Sequence, residues 1–287
     1  MMPSSETPKP LTSPTVSAPV SSTPHQPWLR WFAFRARLPL PATLGLGLAA
    51  WLLFLLAWHL LATSGVAESA LLPSPAKVVT ALWDLLTNRG FGLDILQSLK
   101  RIVLSFGLAL AIALPLGLAM GAFPPVESFF NALVSPLRYL PAPSFVPLLL
   151  MWLGTGDSQK ITLLLLGVVF FLITLFMDNT KSVDPAWVEC ARTLGARRSK
   201  LLWRVIFPAA LPHYVDTARQ MLAVSWTYLV IAEIVAATDG IGAMMMRAKR
   251  FVKVDEIMAG ILVIGLLGLA CDLLIRLIHH RAFRHLR

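Results

Sequence analysis

Charge is scarce in this 287-residue sequence: Asp, Glu, Lys and Arg make up 14% of it against 56% hydrophobic residues, at a mean hydropathy of +0.70. A soluble domain carries about 25% charged residues. So large an apolar surplus cannot be hidden in a core of this size, which excludes a soluble enzyme and a disordered chain and makes lipid the solvent for much of the molecule. Cysteine is scarce too. Cys190 and Cys271 are the only two, lie 81 positions apart and have no metal-ligand spacing, so a disulfide-stapled secreted domain is excluded and both read as reduced. His279, His280 and His285 read as part of a basic tail rather than as metal ligands. Acidic residues number 15 against 25 Lys and Arg, a net charge of +10. In a membrane protein that excess reflects basic cytoplasmic loops, and no nucleic-acid partner is expected. The sequence has no Gly-x-x-x-x-Gly-Lys-Ser/Thr phosphate loop, no His-Glu-x-x-His pair and no Gly-x-Ser-x-Gly nucleophile. ATP hydrolysis, zinc proteolysis and rhomboid-like serine chemistry therefore have no carrier in it.

What is present is a series of apolar runs. Residues 1–27 hold seven Pro, six Ser and four Thr, a composition that cannot bury enough surface to order itself. With the basic aromatic stretch from Trp28 to Arg37, residues 1–40 read as a disordered cytoplasmic tail ending at the headgroups. Residues 43–63 form a first transmembrane helix with His59 as its one strongly polar residue. Residues 64–100 read as a periplasmic segment, with a surface helix from Ala76 to Leu86 whose apolar stripe is Val79, Leu82, Trp83 and Leu86. Further spans are expected at 102–123, at 127–157 broken by prolines 136, 141, 143 and 147, at 161–177, at 213–237 and at 256–278. The fold expected is all-α, with about six transmembrane helices. Six spans put both termini on one side. The cytoplasmic side then carries four Lys or Arg in the N-terminal tail, six in the 178–212 loop and four from Arg276 onward, against nine outside.

The 178–212 loop is the most informative segment. Asp184-Pro185 is a helix start, Gly195 a turn, and Leu201, Leu202, Val205 and Ile206 an apolar stripe among Arg197, Arg198, Lys200 and Arg204. Read from physics alone, it is either an amphipathic surface loop that sets topology or a docking element.

Glu189-Cys190-Ala191, three residues, Gly195, nine residues, then Val205-Ile206-Phe207-Pro208 resembles the cytoplasmic loop signature Glu-Ala-Ala, Gly, Ile-x-Leu-Pro of the membrane subunits of bacterial ABC importers. It departs at Cys190, Val205 and Phe207, each an apolar replacement. Leu72-Pro73-Ser74-Pro75, Ser98-Leu99-Lys100-Arg101, Leu137-Arg138-Tyr139-Leu140-Pro141, Trp152-Leu153-Gly154 and Ala232-Glu233 resemble the nitrate/sulfonate/taurine branch of that family. The resemblance implies a type I permease domain over 94–278 in the bacterial inner membrane and no enzyme activity of its own. It implies two cytoplasmic ABC ATPase subunits that bind ATP and Mg²⁺, a periplasmic solute-binding protein, and a second permease subunit, a homodimer being the expected pairing. The solute it implies is a small anion such as nitrate, a sulfonate or an aromatic carboxylate. A channel or anchor subunit would explain the spans but not the loop spacing.

Charges within a span cost about 2.5–3.5 kcal/mol each on insertion scales. Asp216 with Arg219 and Asp272 with Arg276 can each neutralise on one helix face. Arg138, Arg219 and Glu233 are the candidate path residues. Arg138 has no local partner and either lines an anion path or anchors at headgroups, while Glu233 either pairs with an arginine or lines a gate. A reporter active only in the cytoplasm is expected to work when fused at Arg198 or Arg287 and to fail at Asp84 or Thr238; activity at Asp84 would overturn the six-span arrangement.

Overall fold

A computed structural model describes residues 38–65, 71–235 and 238–282. The tail of residues 1–37, with its basic stretch, and the last histidine, His285, lie outside the described residues. The chain divides into two compact units, 1–56 and 57–287. Of the first, the described part is most of helix α1 (Leu40–Thr63), none of whose residues is buried. A mainly apolar helix with no buried residue fits lipid as its surroundings.

Helix α2 (Pro75–Asn88) starts where expected, with extended Ser74 before Pro75, but its orientation differs from the expectation. Val78 and Leu85 are its buried residues, while Val79, Trp83 and Leu86, three of the four stripe residues, face outward. Apolar residues surround this helix, so periodicity alone does not say which side meets protein and which meets lipid.

Helix α3 (Phe91–Ala122) begins eleven residues before the expected span. Its 32 residues rise about 48 Å, well beyond a hydrocarbon core of about 30 Å. Lys100 and Arg101, taken as loop charges from the sequence, are inside this helix. The expected proline-broken span is α4 (Pro124–Leu137), a short 3₁₀ turn at Ala142–Phe145, and α5 (Val146–Leu153), bent by 81° between the two arms. Pro141 cannot continue α4, and it holds the residue before it out of helical geometry.

Helix α6 (Asp157–Lys181) ends just before α7 (Pro185–Thr193). From Arg198 the chain is helical to Val235: α8 (Arg198–Leu201), a π turn (Leu202–Ile206) and α9 (Phe207–Val235). The expected boundary between the 178–212 loop and the 213–237 span therefore falls inside a continuous helical run that takes in both Pro208 and Pro212, residues that ordinarily end a helix. Pro208 has no N–H to return to the preceding turn, and the helix widens there, with Phe207 N bonding to Leu202 O. Helices α10 (Ile241–Arg250) and α11 (Val254–Ala282) complete the chain.

Among the described residues four helices are long and apolar enough to cross a membrane, α1, α3, α6 and α11, or five if the bent α4–α5 pair is one span. The remaining expected span, 213–237, is α9, which has the length but not the apolarity. Of its charged residues Glu233 is buried against other helices, while Asp216 and Arg219 are half-buried.

The main core joins α3, α6 and α9 around Leu163, Leu164, Leu172, Phe176 and Leu229. Glycines bring these helices together. A Cβ on Gly117 would lie 2.6 Å from Phe176 Cβ, and one on Gly121 would lie 2.7 Å from Met177 O. These two form a Gly-x-x-x-Gly face against α6. Gly167 is likewise pressed on the Tyr228 ring, which a Cβ would meet at 2.5 Å. Gly121→Val is therefore expected to lower the thermal unfolding midpoint of the detergent-solubilised protein, at a cost of about 1–3 kcal/mol. Gly107→Val, a position with open space around it, is the silent control.

Candidate functional site

At one end of the α6–α9 hairpin stands the loop that carries the sequence signature. Asp184 caps α7 by accepting a 2.9 Å hydrogen bond from Ala186 N, with Pro185 in the first turn. The helix stops at Gly195, whose φ is +79°. Gly195 N donates to Arg192 O and Ala196 N to Ala191 O, both at 2.9 Å, which closes the last turn with a left-handed glycine. Glu189 and Cys190 are exposed on α7, and Ala191 is half-buried. Val205 and Phe207 are half-buried at the π turn, where the Phe207 ring lies 5.5 Å from Trp203 and 6.1 Å from Tyr214. Pro208 is exposed.

Behind α7 lies a hollow of about 520 Å³ bounded by the α3–α4 junction, the end of α6, and Leu201, Leu202 and Ile206. On the outer surface Trp187, Leu194 and Trp203 are 56%, 83% and 57% exposed. Exposed arginines 192, 197, 198 and 204 and Lys200 surround them. The exposed face of the loop thus combines large apolar side chains with a ring of cations. Beneath the loop, α6 and α9 are joined by Thr180 Oγ1 and Tyr214 OH at 2.6 Å, and by Asn179 donating to Thr217 Oγ1 at 2.7 Å.

At the opposite end the three core helices meet around one guanidinium. Arg101 of α3 is fully buried, and all its N–H groups are used. Nε and Nη2 donate to Asp157 Oδ1 of α6 at 2.8 and 2.6 Å. Nη1 donates to Glu233 Oε1 of α9 at 2.7 Å and to Asp239 O at 3.0 Å, and Nη2 also reaches Asp239 Oδ1 at 2.6 Å. Glu233 is saturated as well: Ser98 Oγ donates to Oε1 at 2.7 Å and Gly242 N to Oε2 at 2.8 Å. Buried Lys160 donates to Thr238 Oγ1 and Asp239 Oδ1, and exposed Lys100 reaches Asp157 at 3.4 Å. Three cations thus face three carboxylates, and the cluster is neutral. Burial would raise the Asp239 carboxyl, but hydrogen bonds from Arg101, Thr238 and Lys160 outweigh it and hold its pKa at about 2. It stays ionised across the physiological range, and whatever stability it contributes is lost only as pH falls from the ordinary carboxylate range through about 2.

The candidate path residues are therefore placed apart. Glu233 lies inside this cluster. Arg219 sits nearer the loop end, between Asp216 at 3.8 Å and Asp272 of α11 at 3.3 Å, with Arg276 3.5 Å from Asp272. The two pairs expected to neutralise separately are joined across α9 and α11. Arg138 is half-buried at the α4–α5 break, its guanidinium 5.2 Å from the Tyr139 ring centre. Arg101, Asp157, Lys160 and Asp239 are the residues that sequence reasoning missed, because charges flanking an apolar run look like loop charges. A signal was present: Asp94, Ser98, Arg101 and Ser105 fall on one helical face.

Residues 111–287 match the family model of the binding-protein-dependent transport system inner membrane component. The chain is 32% identical over 263 residues to the taurine transport system permease protein of Escherichia coli (strain K12), covering 90% of this chain and 94% of the relative. It is 28% identical to a putative aliphatic sulfonates transport permease protein of Bacillus subtilis (strain 168), covering 79% and 82%. It is 24% identical to a nitrate import permease protein of Synechocystis sp., covering 76% and 82%. Among solved structures, an inward-facing methionine ABC transporter superposes with a TM-score of 0.54 at 19% identity, covering 71% of this chain and 96% of that one. The fold is that of ABC importer permeases.

Gly240 tests the buried cluster. Its φ is +98°, and a Cβ there would meet the Glu233 carboxylate and lie 2.7 Å from Arg101 Nη1. Gly240→Ala is expected to destabilise by about 1–3 kcal/mol, since it both strains the backbone and separates a buried ion pair, whereas Gly92→Ala, with nothing near it, is expected to be close to neutral by thermal unfolding.

Proposed function

The chain belongs to the family of binding-protein-dependent transport system inner membrane components, and from that premise we propose that it is the permease subunit of an ATP-driven importer for a small anion of the sulfonate, taurine or nitrate kind. Two copies pair around a path. Two cytoplasmic ATPase subunits, which bind ATP and Mg²⁺, receive the loop end, and a solute-binding protein delivers its cargo at the opposite face. Both termini and the 178–212 loop lie in the cytoplasm, in keeping with the bias of Lys and Arg. The solute class is supported by what the taurine, sulfonate and nitrate relatives carry.

The observation that carries this reading is α7 itself, a short helix capped at both ends and presenting Trp187 beside the fully exposed tip Leu194. A lever has to be stiff and has to fit a socket. The Asp184 cap and the Gly195 turn give stiffness, and the exposed apolar residues give the fit. Closure of the ATPase subunits would move α7, and the displacement would switch the path between outward and inward access. Arg138, at the break between α4 and α5, is assigned to the anion path, where a guanidinium would attract a sulfonate or nitrate oxygen.

Open space surrounds Gly195, so a side chain there acts through the backbone alone. Forcing a β-branched residue into a left-handed conformation costs about 1–2 kcal/mol. Gly195→Val is expected to lower transport by about tenfold or more with the protein inserted at normal abundance, because the ATPase subunits no longer co-purify or no longer respond to the loaded binding protein. Glu189→Ala gives a weaker form of the same defect, and Cys190→Ala is silent. Normal transport by Gly195→Val would reduce the loop to a surface helix that sets topology.

A further inference from the structure

The loop end and the ion cluster are the two ends of the same pair of helices. Helix α6 starts at Asp157 in the cluster and finishes at Lys181 beside α7. Helix α9 starts at Phe207 beside the loop and finishes at Val235, two residues after Glu233. With 25 and 29 residues they span about 37 and 43 Å. Three fastenings hold the hairpin along its length. Near the loop they are the Thr180–Tyr214 and Asn179–Thr217 hydrogen bonds. At mid-length Gly167 is seated on the Tyr228 ring. At the far end the two helices offer each other carboxylates, Asp157 and Glu233, which repel. Arg101, from a third helix, is what makes them neighbours. The same guanidinium holds Asp239, so the connection to α10 moves with them.

We propose that Arg101 is a positioning residue of the transport cycle: it locks the far ends of α6 and α9 together, so that displacement of the 178–212 loop arrives at the opposite face as a rigid-body movement. This rests on the importer reading. Without the lock, a push on the loop would be absorbed by sliding of α9 against α6, because the other fastenings are two hydrogen bonds between neutral groups, the Gly167–Tyr228 contact and apolar core packing, which has no directional partner to lose. With it, sliding would separate a buried guanidinium from two helices at once, and packed interfaces of this kind shift as units. Arg101 touches no solute in this account. It acts through Asp157, Glu233 and Asp239.

The test uses the permease and its ATPase subunits reconstituted in lipid nanodiscs, in a background with Cys190→Ala and Cys271→Ala. A spin label at Lys249→Cys, on the exposed side of α10 beyond the cluster, reports the distance between the two permease copies. It is read without nucleotide and with ATP·Mg²⁺ under arrested hydrolysis. Arg101→Met alone strands a buried carboxylate and can fail to fold, so the deciding variant is Arg101→Met with Glu233→Gln. That pair removes both charges, keeps an acceptor for Gly242 N, turns the new amide N–H₂ toward Ser98 Oγ, which can accept from it, and leaves Asp157 with Lys100 and Asp239 with Lys160. The expected result is normal assembly and thermal stability with loss of the ATP-dependent distance change, and an intermediate change for Arg101→Lys, which keeps the charge but not the fork. A distance change of wild-type size in the double variant overturns the proposal. So does loss of assembly, which would make the cluster a matter of stability alone. If the unmodified complex shows no change with ATP, the importer reading itself fails, and the proposal falls with it.

Discussion

A charge in a low-dielectric interior has to be neutralised and hydrogen-bonded by the chain that carries it, and this constraint organises the molecule. Arg101 is the extreme case. Its buried guanidinium has five N–H groups, and satisfying them recruits α6, α9 and the segment before α10 in one stroke. The packing of the three core helices is what allows this. Gly117 and Gly121 let α3 approach α6 closely near the loop, Gly167 lets α6 approach α9 at mid-length, and Arg101 ties the three helices at their other ends.

The same constraint explains α9. With Asp216, Arg219 and Glu233 along it, this helix could not stand in lipid as α1 does. Glu233 is covered by Arg101 and Ser98, and Arg219 is flanked by Asp216 and by Asp272 of α11. A span by position, it is a buried core helix by chemistry. That is why the four helices with the required length and apolarity leave it out.

The sequence made much of this legible, unevenly. The apolar runs, the surface helix, the broken span and the capped helix of the 178–212 loop were readable because local chemistry decides them: proline spacing, an Asp-Pro start, a glycine stop. Which face of α2 turns inward was not readable, because hydrocarbon and protein interior attract the same residues and Val79 is as content in one as in the other. The ion cluster was not readable either. It joins residues 98, 101, 157, 160, 233 and 239, brought together only by tertiary packing; Glu233 alone carried an expected arginine partner, while Arg101, Asp157, Lys160 and Asp239 look locally like ordinary charges at span boundaries. Pro208 misled for the opposite reason. A local breaker was overruled by a helix that absorbed it in one widened turn.

The two ends of the hairpin differ in how they can fail. At the loop end the polar contacts join neutral groups or cap an exposed helix, the Asp184 cap and the Thr180–Tyr214 and Asn179–Thr217 hydrogen bonds, each worth about 0.5–2 kcal/mol, so small displacements are inexpensive beside the loss of a buried charge pair. At the cluster end no contact can be lost singly, because every oxygen of Glu233 and every N–H of Arg101 is committed and an unpaired buried charge costs several kcal/mol. Stability graded in this way divides a helix pair into a compliant end and a stiff one. A subunit that must yield to a partner at one face and hold its shape at the other needs that division, and here it is set by where the charges were buried.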